Sequence, residues 1–358
     1  MYFTKSLQAL KNQNKFRQRK LTTELIDFAS NDYLGLSENK QSLENTYNKL
    51  KSHKYISPKS SMLVNGYHPI HQDFENKISN TYGFENTIVL GNGYLANLAL
   101  IESLGRNGDL LLIDEKYHAS GVMASKLSKA KVMFFRHNDT IHLKELLQNN
   151  KYKKSIIAVE GVYSMDGDIL DTKIIDIANE YNSLIIIDEA HSVGTIGNKF
   201  QGIFENITPK PNHIKMGTLG KALGSYGAYI SASNEVISYL ENRAKPIIYS
   251  TAPSLFDILL GHNNLIHIEQ NYERLARKRS ELKKIVKEFT NQDIDSLILK
   301  IPIKDNVTTL DTQKLLKNQG FAIGAIRPPT VSSPILRIIL RLNIPTKDVT
   351  TLLSSIPS

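Results

Sequence analysis

At 358 residues, with 41% hydrophobic and 22% charged residues, the chain is long enough for one large and one small core and has the balance of an ordinary soluble protein. It contains no cysteine, which excludes disulfides, thiolate metal sites and cysteine nucleophiles, and no apolar run near the roughly 20 residues needed to cross a bilayer. The formal net charge of +9 comes from lysines and arginines scattered along the chain, apart from clusters at 15–20 and 274–284, without aromatic interleaving; this argues against nucleic acid and for an anionic partner or a solvated surface.

The opening residues are polar and lack the apolar stretch of a signal peptide, which predicts a cytoplasmic protein. Within the first twenty, Leu7, Leu10 and Phe16 fall on one face of a short amphipathic helix with lysines opposite. Residues 27–37 read as a strand running into a polar turn, and 41–54 and 70–82 as helices separated by a turn-rich stretch over 57–69. His68 and His71 have His-x-x-His spacing but no obvious third ligand, so no metal centre is expected.

From about 85 to 255, short apolar strands alternate with helical segments: 87–90, 110–114, 131–135, 155–159, 184–188, 213–216 and 228–230. This alternation predicts an α/β fold with a doubly wound, mostly parallel seven-stranded sheet. A long helix over about 256–289 then leads to a smaller α+β module, with strands near 297–303 and 335–341 and helices near 311–318 and 346–355. The predicted division is an N-terminal helix and segment (1–40), a large domain (41–255) and a small C-terminal domain (256–358).

Two segments in the large domain point to chemistry. Residues 185–191, Ile-Ile-Ile-Asp-Glu-Ala-His, are a β-branched run delivering Asp188 at the end of a buried parallel strand, where open α/β sheets bind ligands. About 30 residues later, Lys221 sits among small residues in Gly-Thr-Leu-Gly-Lys-Ala-Leu-Gly (217–224). An amine in such a place can form a Schiff base with an aldehyde, and a buried carboxylate can keep a pyridine nitrogen protonated. A glycine-turn lysine is by itself more often a solvated loop residue, and Asp at a strand end is often a cap. The conjunction, with His191 three residues after Asp188 and Thr218 three before Lys221, reads instead as a pyridoxal phosphate site.

Other segments fit around it. Gly91-Asn-Gly-Tyr94 joins a strand to a helix start whose amides can bind a phosphate, although a plain strand–helix turn reads equally well and the spacing is not that of a dinucleotide site. His118, after another strand, can stack on a flat ring or simply cap a helix. Ser164 can hydrogen-bond a ring oxygen or only support its turn.

Asn31-Asp-Tyr-Leu-Gly-Leu36, Val64-Asn-Gly-Tyr-His68, Glu160-Gly-Val-Tyr-Ser-Met-Asp-Gly-Asp168, Asp188-Glu-Ala-His191, Gly217-Thr-Leu-Gly-Lys-Ala-Leu-Gly224 and Tyr249-Ser-Thr251 together resemble the α-oxoamine synthases, fold-type I pyridoxal phosphate enzymes of the aminotransferase class I/II architecture. The likeness runs from about residue 5 to the C-terminus. Residues 325–331, Ala-Ile-Arg-Pro-Pro-Thr-Val, most resemble the branch that joins L-alanine to a pimeloyl thioester, carried by coenzyme A or an acyl-carrier protein, in biotin biosynthesis. The glycine-using branches, of glycine C-acetyltransferase or 5-aminolevulinate synthase type, are the alternative.

The resemblance implies a decarboxylating acyltransferase. In it, Lys221 condenses with the cofactor aldehyde and later moves protons at the substrate α-carbon. Asp188 pairs with the pyridinium nitrogen, His191 and Ser164 contact the ring hydroxyl side, and His118 stacks over the ring. Thr218 and the amides of Gly93 and Tyr94 hold the phosphate or its surroundings. Asn31 and Arg337 take the amino acid carboxylate, Arg337 being preferred to Arg341 because the register downstream then needs no further gap. Arg17 and Thr330 lie toward the pimeloyl chain. The implied assembly is a homodimer with active sites at the interface, Ser250 and Thr251 reaching the partner's phosphate. One departure is local: residues 57–62 read Ser-Pro-Lys-Ser-Ser-Met where the family commonly has a glycine-rich segment ending in arginine.

Overall fold

The computed structural model describes residues 2–13, 15–19, 21–22 and 24–357. In chain order its strands are β1 (Ile26–Phe28), β2 (Asn86–Leu90), β3 (Leu110–Asp114), β4 (Lys131–Phe135), β5 (Ser155–Glu160), β6 (Leu184–Asp188), β7 (His213–Thr218), β8 (Ala228–Ala232), β9 (Ile298–Pro302), β10 (Phe321–Ile326) and β11 (Ile335–Ile339). They form a seven-stranded sheet of order β2-β8-β7-β6-β5-β3-β4 and a four-stranded sheet of order β1-β10-β11-β9.

The large sheet is mostly parallel, as its sequence predicts. β3, β5 and β6 are runs of Leu, Ile and Val buried on both faces, the composition that helices on either side of a parallel sheet require. β8 alone runs against its neighbours β2 and β7. Alternate residues feed two cores. Ile113, Ile156, Ile186 and Ile214 face one core with the helix Gly93–Leu104. Leu112, Ile157, Val159, Ile185 and Ile187 face the other, which continues under the long helix Leu255–Thr290 into the smaller sheet.

Register decides what meets at the rim. Glu160 pairs with Asp188 across β5 and β6, and Asp188 with Met216 across β6 and β7. Two carboxylates therefore stand side by side where the parallel strands end.

Several elements depart from the sequence reading. The N-terminal helix spans Thr4–Asn12, so Phe16 lies past its end, and none of its residues is buried. Lys20, in the basic cluster at 15–20, lies outside the described residues. β10 is an additional strand that the sequence pattern does not predict, because Gly324 interrupts its apolar run. β1 does not stand alone: it pairs in parallel with β10, Ile26 opposite Phe321, so the N-terminal segment closes the smaller sheet. The helix expected from 311 begins at Asn306, capped by Asp305, whose Oδ1 accepts from the Thr308 amide at 2.8 Å. The turn-rich stretch contains a π-helical turn over Met62–Gly66, and Lys59 takes φ = 67°, the left-handed conformation that glycine adopts at least cost. His68 and His71 are spent on a helix cap: each Nδ1 accepts a backbone N–H, from Ile70 and His68, while His71 Nε2 donates to the Pro253 carbonyl at 2.9 Å.

Candidate active site

A cavity of about 290 Å³ opens where β5, β6 and β7 end and the helix Gly93–Leu104 begins. Lys221 enters it from the loop after β7, and Asp188 from the end of β6. Lys221 Nζ lies 2.7 Å from His191 Nε2. Burial lowers the lysine to about 8; Asp188 and Glu160 pull it back up, and Arg337 adds to the depression. His191 is pushed well below the usual histidine range by burial, then by Lys221, Arg337 and His118, so its ring is neutral. With Nε2 accepting from the Lys221 ammonium, its proton is on Nδ1, which donates to Tyr33 Oη at 2.6 Å. Burial raises Tyr33 to about 12 against the pull of Arg337.

Asp188 is held at both oxygens. Oδ1 accepts from the Ala190 amide at 3.0 Å and Oδ2 from Asn97 Nδ2 at 2.8 Å. Beside it Glu160 is 1% exposed; Oε2 accepts from the Ser164 amide at 3.2 Å and Oε1 has no partner. Burial and the neighbouring Asp188 push this carboxyl well above its ordinary range, with Lys221 opposing. His118 caps the next helix, its Nδ1 accepting from the Ser120 amide at 3.2 Å, and its ring forms part of the cavity wall.

The opposite end is built from backbone. Gly93 and Tyr94 occupy the first turn of a helix of 12 residues, where amides have no intrahelical acceptor. A Cβ on Gly93 would come within 2.7 Å of Thr218 Cγ2, so glycine is needed for this approach. Thr218 Oγ1 is buried without a hydrogen-bond partner.

Asn31, Ser164 and Arg337 stand behind this wall, next to Tyr33. Arg337, 6% exposed on β11, donates from Nε to the Ser164 carbonyl at 2.6 Å and from Nη2 to Asn31 Oδ1 at 3.0 Å. Among the described residues no carboxylate pairs with it. Arg341, four residues on and past the end of β11, instead has three carboxylate partners: it meets Asp27 at 3.3 Å and Asp32 and Glu38 at 2.8 Å each.

The other expected residues are elsewhere. Arg17 and Thr330 are exposed, and neither they nor Ser250 and Thr251 line this cavity. Three residues of the site escaped the sequence reading. Asn97 is an amide in a helix otherwise apolar around its whole middle, a pattern that marks the residue but not the face it takes, and Glu160 ends an apolar strand just as Asp188 does. Tyr33 offered no signal beyond its place in Asn31-Asp-Tyr-Leu.

Comparison with known proteins places the chain among enzymes. Residues 23–356 match the family described as aminotransferase class I and II. The chain is 44% identical over 345 residues to the 8-amino-7-oxononanoate synthase of Helicobacter pylori, which covers 95% of this chain and 92% of that one. It also resembles the solved 8-amino-7-oxononanoate synthase of Francisella tularensis, with a TM-score of 0.74 and 26% identity over 93% of this chain and 96% of that one. The serine palmitoyltransferase of Sphingomonas wittichii has a TM-score of 0.89 over 99% and 96% of the two chains, but at 20% identity this is a likeness of fold.

Proposed function

The chain belongs to the aminotransferase class I and II family and, within it, to the α-oxoamine synthases, and from that membership we propose that it is an 8-amino-7-oxononanoate synthase, joining L-alanine to a pimeloyl thioester with loss of carbon dioxide. It is a pyridoxal phosphate-dependent acyltransferase. The cavity fits that cofactor on its own terms: an amine beside a neutral histidine, a carboxylate held at both oxygens, and an orphaned hydroxyl at Thr218 facing free helix-start amides. When bound, the cofactor would supply a protonated pyridine ring that withdraws electrons from the substrate α-carbon.

The protein's residues then have distinct tasks. Asp188 would hold the ring nitrogen protonated, and His118 would lie against the ring. Thr218, Gly93 and Tyr94 bind the phosphate through a hydroxyl and two amides at a helix N-terminus, where an anion is favoured. Lys221 Nζ takes the proton from the substrate α-carbon and returns one after carbon dioxide has left. Its free-base fraction grows as pH rises through about 8, which makes the amine a better nucleophile across that range. His191, neutral and fixed by Tyr33, keeps Nε2 available to Nζ. Arg337 with Asn31 receives the amino acid carboxylate. A buried guanidinium with no acidic partner is costly, and an anionic ligand removes that cost. Arg341 is the poorer choice, because three carboxylates already neutralise it.

The reading extends to a cytoplasmic homodimer in which Ser250 and Thr251 face the partner's phosphate. In support, the Ala252 amide bonds to the Ser60 carbonyl at 3.0 Å, which places 250–252 beside the exposed Leu63 and Val64, an apolar surface suited to a second copy. Arg17 and Thr330 are assigned to the acyl chain.

The observation that carries the reaction class is the meeting of Lys221, His191 and Asp188 in one cavity backed by an unpaired Arg337; the choice of alanine and pimeloyl rests on likeness to the Helicobacter enzyme. The test is release of free thiol by the purified protein with pyridoxal phosphate, comparing alanine, glycine and serine as amino acids and pimeloyl- and acetyl-coenzyme A as donors. Alanine with the pimeloyl donor should be fastest, and Lys221→Ala should release none. Preference for glycine with the acetyl donor would replace this assignment by the glycine-using branch.

A further inference from the structure

Beyond its bond to Asp188, Asn97 has no task in the reading above, yet it holds the centre of the site's hydrogen-bond network. It is 1% exposed in the helix Gly93–Leu104. Its Oδ1 accepts from Tyr117 O–H at 2.7 Å. The Asp188 carboxylate, which can only accept, fixes which way the amide faces, since the reverse orientation would set Oδ1 against one of its oxygens. Nδ2 then donates to Asp188 Oδ2 at 2.8 Å and to Ser120 Oγ at 3.0 Å. The second bond fills an acceptor site of the hydroxyl and leaves Ser120 O–H to donate to His118 Nδ1, 2.7 Å away, which also accepts the Ser120 amide. With both donors on Nδ1, the proton of the neutral imidazole belongs on Nε2.

We propose that Asn97 is a positioning residue that joins Asp188 and His118 into one hydrogen-bonded frame, fixing the carboxylate that meets the cofactor's ring nitrogen and the tautomer of the imidazole that lies against the ring. The proposal rests on the pyridoxal phosphate reading. An amide suits the task for an electrostatic reason. It donates to Asp188 without bringing a positive charge that would compete with the ring nitrogen, and a preorganised donor needs no rearrangement during reaction. The other titratable groups facing Asp188 are Lys221, Glu160, His118 and Tyr117, none of which is within hydrogen-bond reach of Oδ2.

The test uses the holoenzyme of the parent and of Asn97→Asp, Asn97→Ala and Tyr117→Phe. Cofactor affinity and thiol release are measured from about pH 6 to about pH 9. Asn97→Asp is nearly isosteric and sets a second carboxyl against Asp188. Two carboxyls that close do not both ionise, so one proton is shared and its loss is delayed to higher pH. Near pH 6 the shared proton restores a donor between them; near pH 9 it is gone. Measured relative to the parent at each pH, Asn97→Asp should therefore bind cofactor about 10- to 100-fold more weakly at the alkaline end than at the acid end, with turnover following. Asn97→Ala should lose a similar factor at every pH. Tyr117→Phe keeps the amide but leaves its Oδ1 without a donor, and should lose several-fold. The proposal is overturned if Asn97→Asp matches the parent at both ends, or if all three variants lose equally with no pH step, as a packing role would give. A parent that cannot be fixed to the cofactor by borohydride at Lys221 would sink the functional reading itself; a parent that binds normally beside silent Asn97 variants would sink only the frame.

Discussion

Glu189→Gln tests how the floor beneath the cavity is held. Lys215 on β7 and Glu189, next to Asp188, have no exposed side-chain surface, and Nζ lies 2.6 Å from Oε1. The ammonium also sits 4.0 Å from the centre of the Tyr82 ring. Glu189 Oε2 accepts from the Ile203 amide at 2.6 Å and from Ser192 O–H at 2.8 Å. Glutamine can keep those two bonds with its oxygen, but its NH2 must then face the Lys215 ammonium. Breaking a buried pair in this way costs roughly 3 to 5 kcal/mol. Burial already lowers Lys215, with Glu189 pulling it back up, so removing the carboxylate lowers it further. The folded variant then binds fewer protons than the unfolded chain, and its stability rises with pH by up to about 1.4 kcal/mol per pH unit below the unfolded lysine value near 10.4. Urea unfolding of parent and variant between about pH 7 and about pH 10 should show a deficit of that size near neutrality that shrinks toward alkaline pH. Adding Lys215→Met should restore most of it. A deficit under about 1 kcal/mol, or one equal at every pH, would refute the argument.

Three further outcomes follow from the same geometry. Arg337→Met should raise the KM for alanine by roughly 10- to 100-fold with little change in urea stability, whereas Arg341→Met, which strands Asp27, Asp32 and Glu38, should lower stability first; steady-state kinetics beside unfolding curves separate the two. Thr218→Val should weaken cofactor affinity by roughly 5- to 100-fold in a fluorescence titration while leaving the cofactor-free protein as stable or more so, because its buried hydroxyl has no partner there. His137 is lowered by burial but raised more strongly by Asp114 and Asp168, to about 9. Its folded value exceeds the unfolded one, so its contribution, roughly 3 kcal/mol at most, is complete below about pH 6.5 and lost as pH rises through about 9. His137→Gln should flatten that part of the stability profile.

The parts of the fold legible in the sequence are those governed by local pattern. β3, β4 and β6 are apolar runs bounded by polar turns, and their limits fall where the pattern breaks. β1 and β10 were not legible as a pair, because each is short and their pairing joins opposite ends of the chain. In the site, Lys221, Asp188 and His191 are close in sequence on consecutive strand ends, so their meeting could be anticipated. The Asn97 network could not, since it depends on which face of a buried helix looks at β6, and hydrophobicity around the whole helix hides that face. The likeness to a family supplied Arg337, but only the committed donors of Arg341 give a physical reason for choosing between the two arginines.

The smaller sheet takes its edge strand from the start of the chain and its neighbours from the end. A nascent polypeptide leaving the ribosome can complete the large sheet long before it can complete this one. Asn31 reaches Arg337 only after β11 has emerged, so the pocket for the amino acid carboxylate is among the last features to exist. Any anion gripped there would staple the two termini, making substrate occupancy a brake on fraying at both.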